Sequence, residues 1–414
     1  MFESVVLDVI FVITIMVIWV MLLYNALLIS VAYIYARKSE RITEMLLEET
    51  KEYPPVSVLI PAHNEGIVIA RTLESIVLLD YPKDRLEVVV INDGSTDNTG
   101  EVIGEFCARY PWIRMVNVPE EQARRGKSTA LNFGLTKSSH ELIAVYDADN
   151  QPEPGSLKIL AAGMIGDYKV AATVGKVRTI NKSKNILTRF INIEFISHQW
   201  IAQAGRWQLH NITMLPGTNF IVRRKVLKIL GGWDVKSITE DTELSLRILD
   251  RGYTIWYLPT AVTWEQEPQQ WAVWYKQRTR WVEGNYYIIW KYLRRGFRNK
   301  KLFINMLYML FTYYSLIAFI VFSDILFVLG LLEITRVTVG GPLLLIWLSA
   351  FVMFIAQIMI ALGLEYGETT PGNILAIVLM YFTYCQAWVF MGIRAMFRPP
   401  ELKKIPHWEK TQRF

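Results

Sequence analysis

Two carboxylates separated by one residue, Asp147 and Asp149 in YDADN, are the first side chains whose spacing could do chemistry. They follow an apolar, strand-like run. Paired carboxylates in such a turn can hold a hard divalent cation, which can in turn bind a diphosphate. An isolated D-x-D is more often a polar turn at a strand end, so its chemistry depends on the residues that accompany it.

Two further loops carry candidate ligand contacts. Asp93 lies in INDGSTD, where an acid after a βα turn can accept a hydrogen bond from a nucleotide base or ribose. The alternative is turn chemistry, with Thr96 or Asp97 capping the next helix. Lys127 in RRGKSTALN is a candidate contact to a phosphate or base, although a solvated basic loop also explains such a run.

The stretch SITEDTELSLRILDRGY supports two interpretations. Thr239 as N-cap, acids in the first turn and Gly252 after the last turn describe a well-ended helix. In the other interpretation Asp241 is a general base. Local energetics leaves both open.

The stretch YKQRTRW, residues 275–281, precedes a long apolar region. On a helix Gln277, Arg280 and Trp281 fall on one face. The simplest explanation for the aromatic residues is an interfacial belt formed by Trp271, Trp274 and Trp281.

The elements that must position these residues alternate between strand and helix. The runs VSVLIPAHNE, LEVVVINDGSTD and HELIAVYDADN each end in polar residues, and helical patterns follow them. This alternation predicts a mostly parallel α/β sheet, which places ligands at the carboxyl ends of its strands. Asn64, Glu65, Asp93, Asp147 and Asp149 all come just past a strand.

The composition indicates a polar domain joined to membrane segments, because 52% of the 414 residues are hydrophobic while 44 are basic and 38 acidic. Apolar runs long enough to span a bilayer occur at 5–35 and repeatedly from 302 to 397. The first run is too long for a signal-peptide core, and we expect a retained anchor. Residues 302–333 allow two tight passes split near Ser323 and Asp324, or an interfacial helix plus one span.

The charges that flank the apolar runs predict the topology. Arg37, Lys38 and Arg41 follow the first run, which places the N-terminus outside and the central domain in the cytosol. The basic tail should also be cytosolic, which requires an even number of later crossings. The net charge of +6 is then membrane-proximal and does not indicate nucleic-acid binding. Cys107 and Cys385 give no disulfide framework or zinc site.

Eight short motifs, taken in order, resemble family 2 glycosyltransferases of the GT-A fold. The resemblance is to the membrane-integrated processive branch that includes cellulose, hyaluronan, chitin and poly-N-acetylglucosamine synthases. The motifs span about residues 55–281 and are PAHNE, INDGSTD, GKSTALN, DADN, LPGTNF, GGWD, TED and QRTRW. The terminal HWEKTQRF is similar to tails of this group.

The resemblance implies a GT-A α/β domain, a mostly parallel sheet flanked by helices, inserted between transmembrane α-helices. The expected regions are a transmembrane helix at 1–36, a cytosolic glycosyltransferase domain at 37–284, an interfacial segment at 285–301, a transmembrane region at 302–398 and a cytosolic tail at 399–414.

The resemblance also implies a role for each site residue. For the UDP-sugar, Ala62, Glu65 and Asp93 would contact the uridine, with Lys127 nearby. Asp147 and Asp149 would form the D-x-D, and Asp149 would be the more direct ligand of Mg²⁺ or Mn²⁺.

The remaining implied roles concern the reaction and the acceptor. Asp241 would be the catalytic base, and Arg280 would hold the departing diphosphate. Gln277, Trp281 and Glu240 would face the acceptor, with the indole as a platform for a sugar ring.

The expected function is metal-dependent, inverting, processive transfer from a UDP-sugar to a growing β-linked glycan that is exported. The layout of one amino-terminal anchor with a few carboxyl-terminal spans resembles chitin-oligosaccharide and poly-N-acetylglucosamine synthases, and this resemblance favours UDP-N-acetylglucosamine over UDP-glucose as donor. We expect a multi-pass plasma-membrane protein whose partners are the donor, the glycan, the lipid bilayer and, as a further candidate, an accessory export subunit. One alternative is a glycolipid glycosyltransferase that adds a single sugar to diacylglycerol or ceramide. An inactive scaffold or export channel is an alternative of another class.

Overall fold

The domain between the apolar helices is built on one eight-stranded sheet. The computed structural model describes residues 5–296, 299–332, 334 and 343–397. In space the strands follow the order β3-β2-β1-β4-β7-β6-β8-β5. Their bounds are β1 Val56–Ala62, β2 Leu86–Asn92, β3 Ile113–Asn117, β4 Leu142–Val145, β5 Gln151–Pro152, β6 Val170–Thr179, β7 Phe220–Arg223 and β8 Thr254–Glu265.

The pairing of these strands makes the sheet mixed. Strand β1 pairs in parallel with β2 and β4, β2 with β3, and β6 with β8. Strand β7 lies between β4 and β6 and is antiparallel to both, and β5 is antiparallel to β8. The predicted α/β sheet is therefore confirmed, with a reversed strand at its centre. Composition did not reveal that reversal, because FIVR has the same apolar character in either direction.

Helices cover both faces of the sheet. Alternate residues of β1 enter different cores: Leu59 packs in one cluster, and Val58 and Ile60 in the other. The helices after the first one are α2 Ile69–Val77, α3 Thr99–Arg109, α4 Lys127–Lys137, α5 Ser156–Ala162, α6 Ile186–Ser197, α7 Arg206–His210, α8 Arg224–Leu230, α9 Glu240–Asp250 and α10 Trp271–Leu293. A π-helical segment, His198–Gly205, joins α6 to α7.

The first helix, α1 Val5–Glu49, continues past the predicted boundary at residue 36 and packs on the domain. Tyr35 Oη donates to the carbonyl of Tyr257 at 2.5 Å, and the hydroxyls of Thr43 and Thr260 lie 2.6 Å apart. A single helix therefore joins the apolar N-terminal stretch to the sheet.

The C-terminal helices resolve the uncertain stretch 302–333. Helix α11 Lys300–Leu310 continues through a π-helical segment, Phe311–Leu316, into α12 Ile317–Leu331 without a break at Ser323 or Asp324. The later helices are α13 Leu343–Gly363, α14 Pro371–Phe382 and α15 Tyr384–Met396. The predicted interfacial segment begins inside α10, so its boundary at 284 falls within a helix.

By length and composition, the described part of the chain contains four helical stretches able to cross a membrane. They are Val5–Glu49, Lys300–Gly330, Leu345–Gly363 and Pro371–Met396. Three of them follow the domain, and the predicted even number of later crossings stays a prediction, because length and composition alone define these candidate spans. The predicted cytosolic tail, 399–414, lies outside the described residues.

The turn between α13 and α14 is tied to the sheet by buried ion pairs. Glu365, 4% exposed, pairs with Lys176 at 2.7 Å and with Arg178. Glu368, 1% exposed, pairs with Lys182 at 2.6 Å and with Arg178 at 3.4 Å. Breaking one partner of a buried pair leaves an uncompensated charge, so these contacts fix the turn on β6.

Candidate functional site

One cavity of about 1080 Å³ collects most of the residues singled out by the sequence. It lies where the carboxyl ends of the strands meet α9 and α10. The sequence-predicted residues that line it are Glu65, Lys127, Asp147, Asp149, Glu240, Asp241, Gln277, Arg280 and Trp281. Ala62 and Asp93 are not among its lining residues.

Ala62 and Asp93 instead lie beside each other where β1 and β2 end. The backbone N of Asp93 donates to the carbonyl of Ala62 at 2.9 Å. Asp93 is fully buried, and its Oδ1 accepts from the backbone N of Arg124 at 2.9 Å. Its Oδ2 is buried without a hydrogen-bond partner, and burial raises the pKa of this carboxyl. An orphaned carboxylate oxygen is suited to an N–H or O–H from a ligand.

The capping role in this loop belongs to another acid. Asp97 Oδ1 accepts from the backbone N of Thr99, the first residue of α3, at 3.0 Å. This bond agrees with the turn alternative for the loop, whereas Asp93 itself bonds to the backbone of Arg124 in a different loop.

Lys127, the first residue of α4, contacts two acidic side chains of the cavity. Its Nζ lies 2.5 Å from Asp147 Oδ1 and 3.6 Å from Glu240 Oε1, and it donates to the carbonyl of Gly217 at 2.9 Å. Burial alone would lower the pKa of Lys127, but the charges of Asp147 and Glu240 outweigh it and raise that pKa. Lys127 is therefore a permanent cation among carboxylates.

The D-x-D turn has the donors that a metal bound to a diphosphate requires. The backbone N of Asp147 donates to Thr218 Oγ1 at 3.1 Å, which fixes the turn against the loop before β7. Within the described ranges, no group of three or more His, Cys, Asp or Glu side chains could hold a metal by itself. Two carboxylates nevertheless suit Mg²⁺ or Mn²⁺, because such ions commonly take one or two protein carboxylates and complete their shell with phosphates and water.

Asp241 lies in the first turn of α9 and lines the cavity. Thr239 precedes α9 as predicted, but its hydroxyl makes no capping bond and is buried without a partner. Asp241 Oδ1 accepts from the backbone N of Thr242 at 2.7 Å. Burial, and then the charge of Glu240, raises the pKa of Asp241 to about 7. A carboxyl with this pKa can accept a proton near neutral pH.

Gln277, Arg280 and Trp281 of α10 line the cavity as predicted. Two of them are held by Arg278, a residue that the sequence analysis did not single out. Arg278 is fully buried and pairs with Glu194 at 3.1 Å. It donates to Gln277 Oε1 at 2.6 Å, and its guanidinium carbon lies 4.0 Å from the centroid of the Trp281 ring. Arg278 thus holds both Gln277 and Trp281, and the only signal in the sequence is a second arginine inside the motif.

The aromatic-belt interpretation fails for one of its three tryptophans. Trp274 is 1% exposed, and its Nε1 donates to Tyr384 Oη at 2.9 Å, so its indole lies in the protein interior. Trp271 is 45% exposed, as a belt residue would be. Trp281 lines the cavity.

Gly217, in the LPGTNF motif, is a further site residue that the sequence analysis did not name. Its φ is +87°, and a Cβ there would lie 3.3 Å from Asp241 Oδ2 and 3.5 Å from Lys127 Nζ. The backbone therefore passes close to both charged groups, which only glycine permits in this conformation.

Comparisons with known proteins cover the same part of the chain as the motifs. The family model described as "Glycosyltransferase like family 2" matches residues 54–284. The probable glycosyltransferase YdaM of Bacillus subtilis is 44% identical over 409 residues, which are 98% of this chain and 97% of that protein. A poly-beta-1,6-N-acetyl-D-glucosamine synthase of Staphylococcus epidermidis is 30% identical over 277 residues, 66% of each protein.

A solved structure shares the fold. The mannosyltransferase PcManGT from Pyrobaculum calidifontis, in complex with GDP-Man and Mn²⁺, superposes with a TM-score of 0.55 at 20% identity. The match covers 91% of this chain and 99% of that protein. At this identity the likeness concerns the fold.

Replacing Gly217 by alanine tests the close approach at the cavity. Gly166→Ala is the matched control, because Gly166 has a φ of +88° and nothing within 4 Å of its Cβ position. Both variants should lose roughly 1 kcal/mol of stability from the left-handed backbone, measured by thermal unfolding in detergent. Only Gly217→Ala should also slow sugar transfer, by about tenfold to 100-fold, since small displacements of reacting groups have effects of this size. Equal activity in the two variants would contradict a role for Gly217 in the site.

Proposed function

The chain belongs to the glycosyltransferase like family 2, and from that membership we propose that it transfers a sugar from a UDP-sugar, with inversion, to a growing β-linked glycan. The protein is a glycosyltransferase enzyme with a GT-A fold. Its candidate membrane spans and its similarity to a polysaccharide synthase indicate a membrane protein. Metal dependence, processivity and the identity of donor and acceptor belong to the proposal.

One observation carries the proposal: Asp241, Asp149 and Trp281 line a single cavity. Inverting transfer needs a base beside the acceptor hydroxyl, a site for the leaving diphosphate and a surface for the acceptor. These three residues, from α9, the end of β4 and α10, supply one group for each task.

In the proposed reaction Asp241 removes the proton from the acceptor hydroxyl. The hydroxyl oxygen then forms a bond to the anomeric carbon on the side opposite UDP, and the bond from that carbon to the diphosphate oxygen breaks. Lys127 and Arg280 are positively charged groups at the cavity that can stabilise the charge on the departing diphosphate. A divalent cation held by Asp149 and Asp147 would neutralise diphosphate charge when bound.

The donor assignment rests on two separate supports. Asp93 has an orphaned carboxylate oxygen that suits a hydrogen-bond donor of a nucleotide base, with Ala62 beside it and Glu65 on the cavity wall. The relative from Staphylococcus epidermidis is named a poly-beta-1,6-N-acetyl-D-glucosamine synthase, which supports UDP-N-acetylglucosamine over UDP-glucose.

The acceptor would lie against Trp281, with Gln277 and Glu240 beside it. Arg278 holds the Trp281 indole through a cation–π contact, and an ordered indole is a suitable platform for a sugar ring. We keep the cytosolic orientation of the domain, the plasma-membrane location, export of the product and an accessory export subunit as parts of the proposal.

A second candidate function has one observation in its favour. The cavity wall continues onto Asn305, Tyr308 and Met309 of α11, which belong to the candidate span Lys300–Gly330. A lipid-borne acceptor could reach the site along that helix, as a glycolipid glycosyltransferase would need. An inactive scaffold has less support, because Asp147, Asp149 and Asp241 all face the cavity.

The pKa of Asp241 gives a pH test. Only the deprotonated carboxylate can act as base, so kcat/KM for UDP release should fall about tenfold per pH unit below about 7 and level off above it. Asp241→Asn should lower turnover by about 10² to 10⁴ and remove this acidic limb. Asp250→Asn, at the other end of α9, is the control and should keep both rate and limb. Near-normal turnover in a folded Asp241→Asn protein would refute the base assignment.

Removal of divalent metal tests the D-x-D. Excess EDTA should abolish UDP release, and Mg²⁺ or Mn²⁺ should restore it, because two carboxylates and a diphosphate need a countercharge. Asp149→Asn should raise the metal concentration needed for half-maximal activity, whereas Asp80→Asn, at an exposed acid, should not. Full activity in EDTA would exclude the metal.

The product separates the two candidate functions. With UDP-N-acetylglucosamine, mass spectrometry should show a ladder or polymer; one lipid-linked sugar would instead establish the glycolipid function.

Trp281→Ala should shorten the product while the affinity for UDP stays within about twofold, because the ring would touch the glycan. Arg280→Ala should weaken UDP binding about tenfold, since guanidinium-phosphate bonds are charge-assisted. Loss of folding in both variants, without separate donor and acceptor defects, would support the interfacial-belt interpretation of residues 275–281 instead. If a panel of UDP-sugars yields no UDP release at all, the scaffold alternative stands.

A further inference from the structure

Arg206, at the start of α7, is a buried cation that differs from the other buried cations of the described chain. Three lysine or arginine residues there are buried: Lys176, Arg206 and Arg278. Lys176 pairs with Glu365 at 2.7 Å, and Arg278 pairs with Glu194 at 3.1 Å. The described residues place no Asp or Glu oxygen within 4.0 Å of Arg206, which is 3% exposed.

The contacts that Arg206 does make leave part of its guanidinium unsatisfied. Its Nη2 donates to Asn305 Oδ1, and its guanidinium carbon lies 4.4 Å from the centroid of the Tyr308 ring. Its Nε is buried without a hydrogen-bond partner. Burial lowers the pKa of Arg206, and the side chains that counteract this are tyrosines, not carboxylates. An unpaired buried charge is strongly destabilising, so this arrangement suits an anion.

The same three side chains face the cavity of the proposed active site. Arg206, Asn305 and Tyr308 all line it. Asn305 Nδ2 has only a 3.5 Å contact to Met309 Sδ, so it is a second donor with a weak partner. Lys127, Asp147 and Glu240 meet one another at the Gly217 loop, whereas Arg206 makes its contacts with α11. The Arg206 cluster is therefore a separate part of the cavity wall.

The Arg206 cluster contacts a candidate membrane span, which suggests which anion it would meet. Asn305 and Tyr308 belong to the candidate span Lys300–Gly330. The Tyr308 ring lies 6.2 Å from that of Tyr24, which lies in the apolar part of α1. Phosphate is the anionic group that bilayer components carry, and an arginine fork binds it with two parallel bonds.

We propose that Arg206 and Asn305 bind a phosphate group carried by the starting acceptor, the molecule on which the first sugar is placed, with Tyr308 stacked on the guanidinium. The inference rests on the proposed function only in assigning the phosphate to the acceptor; the anion site itself follows from the buried charge. The phosphate could belong to a lipid headgroup or to a soluble sugar phosphate, and the two sources are separated by the choice of probe.

The experiment measures thermal unfolding of the full chain in neutral detergent with EDTA present, followed by tryptophan fluorescence. Probes come in pairs that differ by one phosphate: N-acetylglucosamine 1-phosphate with N-acetylglucosamine, and short-chain phosphatidic acid with the matching diacylglycerol. A ligand that binds only the folded state raises the melting temperature. We expect at least one phosphate probe to do so and its neutral partner not to, and the probe that acts identifies the source.

The decisive variant is Asn305→Asp, which supplies the missing carboxylate at the atom that already contacts Arg206. It should fold, with a melting temperature without probe at or above that of the wild type. It should also lower the affinity for the phosphate probe at least about tenfold, the effect expected from losing a charge-assisted bond. Arg206→Lys keeps the positive charge but loses the forked guanidinium, and it should lower the affinity for the phosphate probe by a similar factor. This variant carries the test if Asn305→Asp does not fold. Arg109→Lys, at an exposed arginine, should leave the probe response unchanged.

Three results would overturn the proposal: no response to either phosphate probe, an equal response to a neutral partner, or an undiminished response in Asn305→Asp. These failures are distinct from failure of the proposed function. Sugar transfer without a phosphate response contradicts the anion site alone. A phosphate response without transfer from any UDP-sugar contradicts the proposed function and leaves the anion site standing.

Discussion

Repulsion among carboxylates at one edge of the sheet is the constraint on which the site depends. Asp147, Asp149, Glu240 and Asp241 face one cavity, and Lys127 reaches two of them. Burial, and then the charge of neighbouring Glu240, raises the pKa of Asp241 to about 7. A divalent cation would offset the same excess of negative charge, so the proposed base and the proposed metal site would share one electrostatic origin.

Tertiary contacts hold these charges together although they are distant in sequence. Asp147 follows β4, Gly217 precedes β7, and Asp241 lies in the first turn of α9. The pairing of β4 with β7 brings the first two loops side by side. The positive φ of Gly217 then lets the backbone carbonyl reach Lys127, and the absence of a side chain leaves room for Asp241.

The apolar helices contribute to the same site and do more than anchor it. Glu365 and Glu368 fix the α13–α14 turn on β6, and residues 175 and 177 of that strand line the cavity. Tyr384 of α15 bonds to Glu194, the partner of Arg278. A change in the packing of these helices would therefore be felt at Trp281.

The sequence by itself determined the family, the GT-A fold and the edge of the sheet at which the acids meet, because the carboxyl ends of parallel strands converge wherever the strands pair. It did not determine which arginine of QRTRW would be buried, since helical spacing assigns faces but not the neighbours of each face. The direction of β7, the continuity of the helix through Ser323 and Asp324, and the separation of Asp93 from the main cavity were likewise decided by packing. Arg206 is the clearest case, because its lack of a carboxylate partner is a property of its surroundings, which only the folded chain brings together.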